Sequence, residues 1–315
     1  MKTTEHIFKV LQKNRYLMAI ILLPIYFVRY VYYSIITNSV WFYRHYPGHY
    51  SSTIPSTKYI KKNRHRLFSN GGVNDGINFN EEVQKKLLTT FSQYFQDFSP
   101  SCTQSPDKLY YYKNNMYGFN DAFILYCFLR EYQPNRVIEV GSGFSSALML
   151  DVANDILPET HFTFIDPYST NIRNFLKLTP SDKCELIKDE VQDLDLSIYS
   201  ELSRNDILFI DSSHVIKIGS DLSTILFSIL PSLRKGVIVH IHDIWYPFEY
   251  PEELLKEGRA WNEVYLIRAF LQFNSSFQML FYNSFVERTF KDYIDSNLPG
   301  YFKDTGKSLW LQKIS

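Results

Sequence analysis

From residue 136 onward, short apolar runs rich in β-branched and aromatic residues alternate with longer stretches whose apolar residues recur every three or four positions. The short runs predict strands at Arg136–Val140, Phe162–Asp166, Glu185–Lys188, Ile207–Asp211, Gly236–Ile241, Phe277–Tyr282 and Ser308–Gln312. The longer stretches predict helices at Ser145–Asn154, Asn171–Leu178, Asp221–Leu230 and Ala260–Phe273. Strands that alternate with helices are expected to form an α/β fold, a doubly wound, mostly parallel sheet of seven strands. Ahead of it, Val83, Leu87, Leu88, Phe91 and Phe95 share one face of a helix expected over Glu81–Phe98, and Asp121–Tyr132 reads as another helix. The organisation expected is a hydrophobic segment and linker over 1–60, a helical cap or lid region over 61–132, and the α/β domain over 133–315.

The first predicted strand runs into Gly141 and Gly143, and a helix follows at once. Such a turn lets a ligand approach the main chain closely, and a nucleotide's phosphate or sugar group is the usual visitor. The second strand ends in Asp166, 25 residues beyond Gly141, near the spacing of a carboxylate that binds a ribose hydroxyl. Two features speak against a dinucleotide. Ser146 stands where its fingerprint has Gly or Ala, and Glu139 would repel a pyrophosphate. A carboxylate at Glu139 suits a cationic, amine-bearing ligand instead.

A second group of polar residues falls after the fourth and fifth strands. Asp211 and His214 follow one, and His240, His242 and Asp243 end the other. Ligands of open α/β sheets bind at such carboxyl ends. His240 and His242 share one face of their strand, with His240 in the role of a core histidine. Asp211 and Asp243 could alternatively do no more than cap the loops that follow.

The run Glu139–Ser146 resembles motif I of class I S-adenosylmethionine (SAM)-dependent methyltransferases, which have a Rossmann-like sheet whose last strand is antiparallel. The Asp211–His214 and His242–Asp243 patterns resemble metal-dependent sugar O-methyltransferases of bacterial glycan and macrolide tailoring. The resemblance spans about residues 110–313. It implies that Glu139, Gly141, Gly143, Ser145, Asp166, Val191 and Gln192 hold SAM, and that His214 takes the acceptor's proton. It also implies that Asp211 and Asp243 bind a divalent metal, Mg²⁺ or Mn²⁺. His242 replaces the first acid of the family's pair, and Mg²⁺ prefers oxygen, so a softer ion or no ion at all remains open. Trp245, Tyr246 and Arg259 are expected to line a sugar pocket, whereas Trp261 and Tyr265 fit either that pocket or the core. Tyr110–Tyr117 is expected to form a lid or an aromatic cluster.

Composition narrows the picture further. The formal net charge is +0, so no bulk attraction draws the chain to nucleic acid. The 3 cysteines are widely spaced and odd in number, as in a reducing compartment. Residues 16–36 are mostly apolar, broken by Pro24 and Arg29 and preceded by Lys2, Lys9, Lys13 and Arg15. This run is near the ~20 residues that span a bilayer. It is expected either to anchor a cytoplasmic catalytic domain to the inner membrane face or to pack on protein, including a second copy in a homo-oligomer. The acceptor expected is a small-molecule or lipid-linked glycan. Two other readings stay open: a metal-dependent hydroxylase or hydrolase using Asp211, His214, His242 and Asp243, and a membrane-tethered scaffold without catalysis.

Overall fold

The computed structural model describes residues 48–68, 76–178 and 183–315, with 23–24, 27–28 and 31–32. Most of the apolar run at 16–36 lies outside the described residues. Among those described, no helix is long and apolar enough to cross a membrane. The chain divides into two compact units, residues 1–67 and 68–315. In the first, Thr57–Leu67 is a basic helix that begins within the expected linker.

The second unit is built on one sheet of seven strands: β1 (Arg136–Val140), β2 (His161–Ile165), β3 (Cys184–Ile187), β4 (Ile207–Ile210), β5 (Ile238–Ile241), β6 (Phe277–Tyr282) and β7 (Leu309–Lys313). Their order is β3-β2-β1-β4-β5-β7-β6. All pairings from β3 to β5 are parallel, and β7 runs antiparallel to both β5 and β6. This is the doubly wound, Rossmann-like sheet expected, with the last strand reversed. Strand order changes direction between β1 and β4, whose carboxyl ends open a crevice for a ligand.

Asp166 and Asp211 lie one residue past their strands rather than within them. Their amide groups still donate across the sheet, Asp166 to the Ile187 carbonyl (3.0 Å) and Asp211 to the Val140 carbonyl (2.9 Å). Each carboxylate is thus held at the sheet's edge while the chain turns away.

Helices cover the sheet. The helix Glu81–Ser92 packs on β6, and beside it Phe119–Tyr132 is buried from Phe119 to Leu129. Its Phe128 stacks on Trp310 of β7 with centroids 3.9 Å apart, and Phe91 packs on both Phe128 (5.2 Å) and Phe281 of β6 (5.6 Å). Each such buried ring contributes about 2–3 kcal/mol. The helix expected from Ala260 starts only at Glu263. The amides of Asn262 and Glu263 donate instead to the His214 carbonyl (3.1 and 3.3 Å), tying the helix start to the loop after β4.

Candidate active site

The glycine turn after β1 fits closely against β4. Gly141 adopts φ +81°, and a Cβ there would lie 1.9 Å from the Asp211 carbonyl oxygen. Only glycine satisfies both conditions. Behind the turn, Glu139 is fully buried and accepts hydrogen bonds from the hydroxyls of Ser145 (2.5 Å) and Ser146. The Gly143 amide donates to Ser146 Oγ (3.0 Å) and closes the turn. Burial pushes the Glu139 carboxyl up to about 8, against the lowering effect of the two serine hydroxyls. It is therefore mostly uncharged near neutrality and braces the turn from behind, rather than presenting a charge to a cationic ligand.

In front of the turn is a cleft of about 440 Å³, walled by Gly141, Asp166, Val191, Gln192 and Asp211 among others. That volume falls within the range of small-molecule sites. Glu139, Gly143 and Ser145 are not part of its wall. Asp166 Oδ1 accepts the amides of Tyr168 (2.8 Å) and Ser169 (2.9 Å), and Oδ2 accepts the Ser142 hydroxyl (2.5 Å). Gln192 donates to Glu190, and its buried Oε1 has no partner. An orphaned acceptor in a cleft wall is ready for an amine or hydroxyl from a ligand.

Behind Asp211, outside the wall of the cleft, is His214, which is 7% exposed. Its Nδ1 lies 2.8 Å from Glu263 Oε2, and its Nε2 lies 3.4 Å from Asp211 Oδ1 and 3.6 Å from Asp243 Oδ2. Trp261 covers the ring, centroids 4.2 Å apart. Burial alone would lower the imidazole's pKa. The hydrogen bonds and charges of Asp211 and Glu263 outweigh it, and the value is pushed up to about 10. Backbone strain accompanies these groups, since His214 and Asp243 adopt φ +59° and +57°. Non-glycine residues are held so only where surrounding contacts over-determine them.

The expected metal ligands Asp211, His242 and Asp243 do not form a ligand set. Lys307 Nζ takes Asp243 Oδ1 at 2.8 Å, and His214 occupies the space between Asp211 and Asp243. The His242 ring lies against Tyr117 (5.0 Å), with Nε2 still 3.6 Å from Asp243 Oδ1. Lys307 and His214 set positive charge beside these carboxylates, while Asp243 Oδ1 and both His242 ring nitrogens are buried without a hydrogen-bond partner. Among the described residues, no group of three His, Cys, Asp or Glu is arranged to hold a metal ion.

Other expected residues separate cleanly. His240 is fully buried between Phe209 (3.8 Å) and Trp310 (4.5 Å), and burial pushes its pKa well below the usual value, so it is a neutral core residue. Tyr110 and Tyr117 are buried, with the Tyr110 hydroxyl donating to the Tyr117 and Gly118 carbonyls (3.0 Å each), so this part of the segment fills the core. Sequence reasoning missed Glu263 and Lys307. For Lys307 the signal was present but needed the topology. The antiparallel register pairs Ile241 with Leu309, which carries Asp243 opposite Lys307, and Ile244 donates to the Lys307 carbonyl (2.8 Å).

Residues 138–244 match the family model of a methyltransferase domain. An uncharacterized protein of Archaeoglobus fulgidus is 34% identical over 165 residues, which are 50% of this chain and 74% of that one. Similar solved structures include a methyltransferase of Podospora anserina with SAH bound (13% identity, 84% of this chain and 99% of that chain, TM-score 0.43). Another is TomG of Streptomyces achromogenes, an O-methyltransferase of tomaymycin synthesis, in complex with SAM (14% identity, 73% and 90%, TM-score 0.41).

Proposed function

We propose, for a chain that belongs to one family with the Archaeoglobus protein and carries a methyltransferase domain, that it transfers a methyl group from SAM to a hydroxyl of a sugar. The observation that carries this reading is the junction of cleft and base. Asp211 belongs to the cleft wall and at the same time lies 3.4 Å from His214 Nε2. A ligand in the cleft is thereby set one carboxylate away from the His214 imidazole.

The residues fit SAM. Asp166 stands at the end of β2, where a ribose diol can displace Ser142 as its partner. Gln192 Oε1 is an acceptor for an exocyclic amine. When bound, SAM supplies an activated methyl group on a positively charged sulfur. The carboxylates of Asp211 and Glu263 favour the charged form of His214 over the penalty of burial. A cationic ligand held beside Asp211 would offset that carboxylate and would weaken the imidazole's hold on its proton. Glu263 then fixes the ring through Nδ1, so that Nε2 faces the acceptor and takes its proton.

Trp261 beside His214 and Trp245 near Lys307 stay partly exposed and offer flat apolar faces to a sugar ring. Arg259 lies over the Trp261 ring at 4.9 Å and adds a hydrogen-bond donor at the rim. SAM is a cytosolic metabolite, which places the cleft in the cytoplasm, and the apolar run near the N-terminus suits a lipid-linked acceptor.

Calorimetric titration of the full chain with SAM, with NAD as control, tests the cofactor. SAM binding without NAD binding supports the reading, and an absence of SAM binding overturns it. Transfer of radiolabel from methyl-labelled SAM to glycan acceptors but not to protein or nucleic acid tests the substrate class.

A further inference from the structure

Lys307 belongs to no motif, yet its side chain ends among the carboxylates of the acceptor site. Its Nζ lies 2.8 Å from Asp243 Oδ1, 5.7 Å from the Trp245 ring centroid and 3.4 Å from the Met116 carbonyl. The titratable groups that face one another here are Asp211, Asp243, Glu263, His214, His242 and Lys307.

The backbone that carries Lys307 is clamped from both sides. The amides of Lys307 and Ser308 and the Ser308 hydroxyl all donate to Asp121 Oδ1 (2.9, 3.0 and 2.5 Å). Asn283 Nδ2 donates to the same oxygen (2.8 Å), and Asp121 is fully buried. One residue earlier, the Gly306 amide donates to Glu287 Oε1 (3.0 Å), and a Cβ on Gly306 would lie 2.6 Å from Asn283 Cβ. Two residues before that, Asp304 accepts the amides of Phe119 (2.6 Å) and Asn120 (3.0 Å) at the start of their helix. A lysine is normally a mobile surface group with large side-chain entropy. Here the buried carboxylates of Asp121 and Glu287 and one helix start hold its backbone in one place, aimed at Asp243.

We propose that Lys307 supplies the fixed positive charge of the acceptor site, its ammonium holding Asp243 turned toward His214 in the place a divalent ion would take. This rests on the reading of the cleft as a methyl-transfer site. It makes Lys307 a positioning residue, and it makes methyl transfer independent of added metal. The carboxylates that a metal would neutralise are neutralised from within the fold, and Asp121 becomes the residue on which that arrangement depends.

The test uses the full chain and Mn²⁺ itself as probe. Electron paramagnetic resonance of the unmodified chain at millimolar Mn²⁺, with and without SAM, is expected to show only free ion. Stoichiometric Mn²⁺ binding would overturn the proposal. The second measurement follows the His214 ring by NMR as pH is varied. Lys307→Met removes the charge at nearly constant size and lets Asp243 turn away from His214, so the His214 titration is expected to shift downward by about one unit, with Lys307→Arg restoring it. An unmoved titration in a folded Lys307→Met chain would also overturn it. If Lys307→Met does not fold, the Mn²⁺ result on the unmodified chain decides. A parallel SAM titration separates the two ideas: a chain that binds neither SAM nor Mn²⁺ removes the methyl-transfer reading and leaves the role of Lys307 to the His214 titration.

Discussion

Glu263 Oε2 lies 2.8 Å from Nδ1 of His214, joining residues 49 apart in the chain. Glu263 is 1% exposed, and burial raises its own pKa while the His214 hydrogen bond opposes that rise. The pair fixes which nitrogen of His214 is turned to the cleft. A buried carboxylate with one imidazole partner is costly to leave alone, so each member keeps the other in place.

Removing the imidazole should separate chemistry from binding. His214→Ala is expected to lower methyl transfer by about 10²–10⁴ while SAM affinity stays within a few-fold. Calorimetry and single-turnover transfer on the same samples check it, and equal loss in both would make His214 a structural residue.

Charge removal at Glu263 has a direction that can be read by NMR. The imidazole stands at about 10 because Asp211 and Glu263 both favour its charged form over the penalty of burial. Glu263→Gln is expected to lower the His214 titration toward the ordinary 6.5. In the parent chain, the transfer rate should rise with pH through the neutral range, because the ring must lose its proton before it can act. A rate that falls over that range would exclude His214 as the base.

Cofactor affinity should depend on Asp166. Its carboxylate stands in the cleft wall at the end of β2, and losing a charged hydrogen-bond acceptor costs about 1.5–3 kcal/mol. Asp166→Ala is therefore expected to weaken SAM binding by roughly 10–100-fold. An unchanged dissociation constant would take Asp166 out of the site.

Gly141 tolerates no side chain. Both its φ of +81° and the 1.9 Å approach of the Asp211 carbonyl oppose a Cβ. Gly141→Ala should destabilise the fold by about 3 kcal/mol and abolish SAM binding. Urea unfolding beside the SAM titration measures both, and a stable, binding variant would contradict the turn geometry.

Stability should carry a pH signature from Glu287. Burial pushes its carboxyl up to about 8, with hydrogen bonds from Asn120, Gly306 and Tyr301 opposing the shift. The folded value exceeds the ordinary 4.5, so the stability this group contributes is complete below pH 4.5 and is lost as pH rises through 8. At about 1.4 kcal/mol per unit, the change is a few kcal/mol at most. Glu287→Gln keeps the acceptor and cannot ionise, so its urea midpoint should vary less between pH 5 and pH 9 than that of the parent. An identical slope would assign the pH dependence to other groups.

Local pattern by itself determined the strands, the glycine turn and the acids that end β2 and β4. Apolar alternation and a positive-φ glycine are properties of a few neighbouring residues, so Gly141, Asp166 and Asp211 were legible one at a time. Strand ends moved by a residue, as with Asp166 and Asp211, because the last cross-sheet hydrogen bond depends on the neighbouring strand and not on the run itself. What each acid does was decided only in three dimensions. Glu139 reads as a charge, and burial behind two serines makes it mostly neutral. His240 and His242 read as a pair, and packing puts one in the core and the other against Tyr117. Asp211 and Asp243 read as metal ligands, and they meet His214 and Lys307 instead. Glu263 and Lys307 became part of the site through a helix start and an antiparallel register, 49 and 64 residues from His214 and Asp243. Apolar alternation along a strand is local, whereas desolvation and charge pairing depend on everything that folds around a group. The chain therefore announces where a site lies before it shows which charges survive there.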